Sequence, residues 1–427
     1  MKIVMVHNTY QQPGGEDVVF QQECANLSRF GHDVVRYQRS NFEIDKLSAL
    51  GRLALPKNII WSAGTRREFS ALLERERPDL VHVHNTFVMV SPSVYAACRD
   101  HGVPVVQTLH NFRLLCPGAT LYRDGHICED CLTGSLWNSV RNSCYRGSKS
   151  ASATVALMLA THRRLGTWRD SIDRYIALTE FARDKFLSAG FPAHKIAVKP
   201  NFVGSDPGAR TETSGFALFA GRLSSEKGLT TLLDAWKRLA VRCPLQIVGD
   251  GPERAALEAR VREQNIQGVT FRGSLPRADA LALMKTARFL IAPSIWYEGF
   301  PMVIAEALAC GAPVICSRLG AMQEIIADGV TGLHFTPGNA EDLARTVAEA
   351  LDQPDALATM SRNARHEYEQ LYTAEKNYEL QMEIYRQAIG KSASGGDGLG
   401  GTDNPVCAPT TSMPQGAIAQ SLRALVP

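Results

Sequence analysis

Phe289-Leu290-Ile291-Ala292-Pro293-Ser294-Ile295-Trp296-Tyr297-Glu298-Gly299-Phe300-Pro301-Met302 is the stretch that decides the fold class. Its four leading apolar residues, stopped by Pro293 and Ser294, read as a buried strand. A turn follows, and Pro301 suits the first position of a helix starting near Met302, because proline has no N–H to leave unpaired there. Strand, turn and helix make the repeating unit of a parallel sheet with helices on both faces. Ligands of such sheets bind beyond the carboxyl ends of the strands, which is where Glu298, Gly299, Phe300, Pro301 and Met302 fall.

The same unit recurs in both directions along the chain. Ile3–Val6, Leu80–Val83, Val103–Val106 and Tyr175–Leu178 read as strands before this stretch, with helical spacing over Glu16–Phe30 and Ser91–Asp100. Phe216–Ala220, Leu245–Val248, Val269–Phe271 and Val314–Cys316 form a second series with Phe289–Ala292. Between the series, residues 199–215 are rich in Pro, Gly and polar residues and read as a linker. The expected architecture is α/β: two Rossmann-like βαβ domains, residues 1–205 and 215–372, the first interrupted by a cysteine-rich insertion at 112–147. A helix at 373–390 is expected to pack back on the first domain, and 391–427 reads as a disordered tail.

Three further loops carry chemistry. Gly221-Arg222-Leu223-Ser224-Ser225-Glu226-Lys227-Gly228 follows a strand and opens a helix. Its backbone N–H groups could meet a phosphate whose charge Arg222 and Lys227 neutralise; a tight turn with two solvated cations fits the local pattern equally. Glu298 precedes a helix and Glu306 lies inside it, so one carboxylate could face a sugar while the other accepts hydrogen bonds from ribose hydroxyls. Alternatively, Glu298 favours the helix dipole and Glu306 sits on a solvated face. Gly14-Gly15-Glu16 follows the first strand, and His110 ends another.

The Gly-Arg-Leu-x-x-Glu-Lys-Gly loop, Val248-Gly249-Asp250-Gly251-Pro252, the Glu298–Glu306 pair and Asp328-Gly329-Val330-Thr331-Gly332 occur in this order. Together they resemble the family-four retaining glycosyltransferases of the GT-B fold, of the bacterial surface-polysaccharide type, over nearly all of residues 1–390. The resemblance implies two domains facing across a cleft, a nucleoside-diphosphate sugar as donor, and a glycan or lipid-linked glycan as acceptor. It implies that Arg222 and Lys227 hold the diphosphate, Glu306 the ribose and Glu298 the transferred sugar. The turn with Gly249 and Gly251 would flank the base, Gly14 and Gly15 would approach donor phosphate and acceptor, and His110 would lie beside the donor sugar. Front-face substitution with retention is implied, the leaving phosphate helping to deprotonate the acceptor. No Asp-x-Asp motif demands a catalytic metal.

Composition limits the alternatives. A chain of 427 residues exceeds one usual core, and 46 basic against 43 acidic residues leave a net charge of +3, too small to make nucleic acid the main partner. No run of about 18 apolar residues exists, and Met1-Lys2 leads straight into a strand, so a cytoplasmic protein is expected, with the inner face of the membrane within reach. The mixed apolar and basic stretch Ala151–Trp168 could lie on anionic lipid or pack its apolar side inward. Of ten cysteines, Cys116, Cys128, Cys131 and Cys144 cluster around a Cys-x-x-Cys core that fits a structural zinc site; buried or redox thiols and an iron–sulfur cluster are the other readings. A nicotinamide dehydrogenase is disfavoured because no Gly-x-Gly-x-x-Gly follows the first strand. A GT-B sugar-nucleotide epimerase or phosphorylase, and a zinc-containing nucleic-acid-binding module, are the remaining alternatives.

Overall fold

The structure, a computed structural model, describes residues 1–11, 14–240 and 242–394. Six strands form the first sheet: β1 (Lys2–Thr9), β2 (Asp33–Ser40), β3 (Leu80–Val83), β4 (Val105–Leu109), β5 (Arg174–Ala177) and β6 (Ile196–Val198). They are parallel, in the order β2-β1-β3-β4-β5-β6. The second sheet holds β7 (Ala217–Ala220), β8 (Leu245–Val248), β9 (Val269–Gly273), β10 (Phe289–Ala292), β11 (Val314–Ser317) and β12 (Gly332–Phe335), also parallel, in the order β9-β8-β7-β10-β11-β12. The order reverses at β1/β3 in one sheet and at β7/β10 in the other, and these are the points where doubly wound sheets open a crevice.

Both faces of each sheet are covered, which is why the strands are nearly continuous apolar runs instead of alternating ones. In the first sheet Val4, Val6, Val81 and Val105 enter one core, whereas Ile3, Met5, Leu80 and Val106 enter another. The second sheet divides the same way, Leu218, Leu290 and Val314 on one side and Ala217, Phe289 and Ile315 on the other. The helix Ala374–Ser394, at the far end of the chain, supplies Met382, Ile384, Tyr385 and Ala388 to the core of the first sheet. Asn26 donates to the Ala374 carbonyl at 2.9 Å and Asn377 to that of Pro200 at 2.9 Å, fixing where this helix enters.

Some boundaries differ from the reading of the sequence for local reasons. β4 begins at Val105, not Val103, because the Val103 N–H closes the preceding helix onto Cys98 and Pro104 has none to give. β2 is an edge strand whose polar residues face water, so its pattern hid it. The last helix runs on to Ser394; residues 395–427, the bulk of the expected tail, lie outside the described residues. The insertion leaves the first sheet after β4 and builds a hairpin (Tyr122–Arg123 with His126–Ile127) and two short helical turns before the helix Lys149–Arg164.

Candidate active site between the facing strand ends

A cleft of about 590 Å³ lies where the carboxyl ends of the two sheets meet. From the first sheet come Gly14, Gly15 and Glu16 after β1, and His110 and Asn111 after β4. Gly221 after β7, with Lys227, and Ser294 through Val303 (Ile295 aside) after β10 close it from the second. Of the candidate residues, Gly14, Gly15, His110, Lys227, Glu298, Gly299, Phe300, Pro301 and Met302 therefore share one cavity.

Glu298 is the electrostatic centre. Its Oε1 accepts hydrogen bonds from Lys227 Nζ and Ser294 Oγ, both at 2.7 Å. Burial alone would push this carboxyl up, but the Lys227 charge and the hydrogen bonds from Lys227 and Ser294 outweigh it and hold the group below its ordinary value. Lys227 is placed by a sharp turn: Gly228 has φ +70°, and a Cβ there would lie 2.0 Å from the Pro293 carbonyl, so the cation loop is clamped onto the end of β10. The two sheets are equally close at Gly299, where a Cβ would lie 2.4 Å from the His110 carbonyl oxygen. Glycine is thus what lets the Glu298 loop touch the His110 strand end.

The remaining candidates lie off the cavity wall. Arg222 is exposed on the next residue after Gly221. The Gly249–Gly251 turn packs by backbone on that loop, Leu223 N donating to the Asp250 carbonyl at 3.0 Å. Glu306 is drawn to Arg277, whose Nε donates to Oε1 at 2.8 Å. In the sequence Glu16 stood out only as the end of the Gly14-Gly15-Glu16 turn, and Asn85 and His84 not at all, although each follows the strand-end rule. Glu16 accepts from Asn85 at 3.1 Å and Asn111 at 3.1 Å, and burial raises its carboxyl to about 6. The Gly14 N–H is taken by Asp17 at 2.8 Å, and Asp17 also holds His7 at 2.7 Å.

The expected zinc set fares differently. Cys116, Cys128, Cys131 and Cys144 border one small pocket that also holds Arg123. Among the described residues only Glu23, His82 and His84 bring three metal-binding atoms within 4.8 Å of one another, so the four sulfurs do not stand as a compact tetrahedral set. A hydrogen bond between Cys116 and Cys131 pulls the first thiol down and pushes the second up. The helix Lys149–Arg164 turns Val155, Met158 and Leu159 inward and leaves Leu157 outside, with Arg163 and Arg164 also exposed. Beside it, the helix Ala49–Ile60 exposes Leu50 and Leu53, about 80% each, with Arg52 and Lys57. None of the described helices is long and apolar enough to cross a membrane.

Two family models match consecutive parts of the chain: glycosyltransferase family 4 over residues 13–206 and glycosyl transferases group 1 over residues 205–367. An uncharacterised glycosyltransferase of Methanocaldococcus jannaschii is 30% identical over 411 residues, 91% of this chain and 99% of that one. A second uncharacterised glycosyltransferase of that organism is 31% identical over 161 residues, 38% of this chain; the match spans only 45% of that relative's length. Among solved structures, Anabaena HepE in complex with UDP superposes with a TM-score of 0.64 at 21% identity, covering 92% of this chain and 100% of that one.

Proposed function

The chain belongs to the glycosyltransferases of family 4 and group 1, with the GT-B fold, and from that premise we propose that it moves a sugar from a nucleoside-diphosphate sugar to a glycan or lipid-linked glycan, with retention, in surface-polysaccharide synthesis. The observation that carries the reading is the pairing of Lys227 with Glu298 in a cleft that His110 closes from the other sheet. A departing diphosphate develops negative charge while the anomeric carbon becomes positive. Lys227, Arg222 and the amides of the Gly221–Gly228 loop answer the first, and ionised Glu298 the second. Glu298 would hold the transferred sugar, His110 would lie beside it, Glu306 would turn from Arg277 to the ribose, and Gly249 and Gly251 would flank the base. Gly14 and Gly15 would let the backbone come close to phosphate and acceptor.

The UDP of HepE, bound by a protein of the same fold, favours uridine sugars as the first probes. A thermal-shift series with UDP-, GDP- and ADP-sugars tests the donor: at about a hundred times Kd a ligand of the native state adds about 2.7 kcal/mol. Absence of a shift with every nucleotide sugar overturns the reading. Incubation without acceptor separates transfer from epimerisation, which needs none. Exposed Leu50 and Leu53 beside Arg52 and Lys57 support presentation of the cleft to an anionic lipid surface, and phosphatidylglycerol liposomes should float the protein. For the insertion, the number and spacing of the cysteines support zinc, although the four sulfurs, which do not stand as a compact set, would have to draw together around it. Metal analysis should find it; metal-free protein with four titratable thiols removes that part.

A further inference from the structure

Behind His110 the first sheet buries a chain of polar groups that the cleft chemistry does not use. His110 Nε2 lies 2.9 Å from His84 Nδ1. His84 Nε2 faces Glu23 Oε2 at 3.4 Å, close enough for charge to act but outside hydrogen-bond geometry, and that nitrogen has no hydrogen-bond partner among the described residues. Glu23 is fully buried; Lys199 donates to its Oε1 at 2.7 Å and Gln381 to its Oε2 at 2.9 Å. The chain thus runs from the cleft through strand ends β4 and β3 and the helix Gly15–Arg29 to the start of the segment joining the sheets and to the last helix. Glu23, His82 and His84 form a metal-like triplet, but the Lys199 ammonium already stands as their cation.

Proton positions follow from the fixed charge. Lys199 and the hydrogen bonds keep Glu23 ionised, so it can only accept, and His84 Nε2 must present its hydrogen to it; a lone pair there would face a carboxylate in a dry interior. Burial keeps His84 neutral, so its Nδ1 carries no hydrogen and accepts. His110 Nε2 must then be the donor, and Nδ1 of the neutral ring is left with a lone pair. His82 plays no part in this choice, its two nitrogens being taken by Tyr385 and Thr108 at 2.7 Å each.

We propose that Glu23 and His84 are positioning residues that hold His110 in the Nε2–H tautomer, so that its Nδ1 accepts a hydrogen bond from a hydroxyl of the donor sugar. The assignment of that hydroxyl to a sugar rests on the transfer reading above; the tautomer does not. Lys199 and Gln381 extend the device: both hold the carboxylate, so the segment between the sheets and the last helix are tied to the same imidazole.

Long-range 1H–15N correlation on protein labelled with 15N-histidine, its His110 signals assigned from His110→Gln, reads the tautomer at pH 7.5 without any ligand. The expected spectrum has Nε2 protonated and Nδ1 bare in the parent protein. A parent His110 with its hydrogen on Nδ1, or charged, overturns the proposal. Glu23→Gln should shift His110 toward a mixture of tautomers, and because it leaves Lys199 unpaired, Glu23→Gln/Lys199→Met is measured beside it. An unchanged tautomer in both, with native circular dichroism, also overturns it. UDP affinity by calorimetry should stay within about twofold in these variants. Turnover of the sugar nucleotide giving the largest thermal shift should fall about tenfold at little changed KM, the worth of one hydrogen bond. Loss of nucleotide binding in the parent protein, with the expected tautomer present, would remove the transfer reading and leave this one.

Discussion

Glu298 stays ionised although its side chain is buried at the wall of the cleft, and the structure shows the means: one cation and one hydroxyl on the same carboxylate oxygen. Lys227→Ala removes the cation, so burial should drive the carboxyl upward while the diphosphate loses its counter-charge. A fall of about 10²- to 10³-fold in kcat is expected, the usual cost of one preorganised donor, and a sugar-transfer assay checks it. Near-normal turnover in Lys227→Ala and Arg222→Ala would remove both from the site. Gly299→Ala tests contact between the two sheets: its Cβ would meet the His110 carbonyl, so the strand ends must separate. A displacement near 1 Å can cost about 10²-fold, and kcat/KM should show it while the melting temperature changes little, since the crowding lies between the halves and not inside a core.

The elements carry their own test at the junction of the helix Gly15–Arg29, the end of β6 and the last helix. Lys199 and Glu23 are both fully buried and paired at 2.7 Å. Removing one partner strands the other, so Lys199→Met should destabilise the fold by about 3–5 kcal/mol, read by denaturant unfolding. An unfolding midpoint equal to that of the parent would show the pair to be dispensable. By its composition this position looked like the start of a flexible linker; the neighbouring Pro200 and Gly204 masked a lysine held in the core. The strands β7, β8, β10 and β11 were legible because a doubly covered parallel strand needs several apolar residues in a row. β2 and β12 were not, since both lie at a sheet edge, where β2 turns polar residues to water and β12 buries fully only its end residues Gly332 and Phe335.

For the molecule as a whole, protonation ties stability to pH. Burial keeps His82, His84 and His110 below their ordinary values, whereas the unfolded chain protonates each near pH 6.5. Below that pH the unfolded state binds more protons, so the stability present above about 6.5 is lost as pH falls, by about 1.4 kcal/mol per histidine and pH unit. Glu16, raised to about 6, works the other way: the folded chain takes up its proton first as pH falls through 6. Burial lowers His32, His162 and His334 as well and raises Glu324 and Glu367 as it does Glu16, so the histidines outnumber the glutamates, and the melting temperature should drop by several degrees from pH 7.5 to 5.5 in scanning calorimetry; a rise would contradict the assignment. The alternation of apolar strands and helical patterns along the chain was enough to expect two such sheets, and the family resemblance added the cleft between them. Lys227, Glu298 and His110 also follow strands, but their local patterns left bland readings open, and it was the family resemblance that named them. What only the tertiary structure decided is which distant groups meet: Arg277 on Glu306, four cysteines around one pocket without a compact sulfur set, and Glu23 behind His84 and His110. Sequence spacing fixes which face of an element a side chain takes. Partners hundreds of residues apart are chosen by how the elements pack, and burial then sets the charge each one keeps.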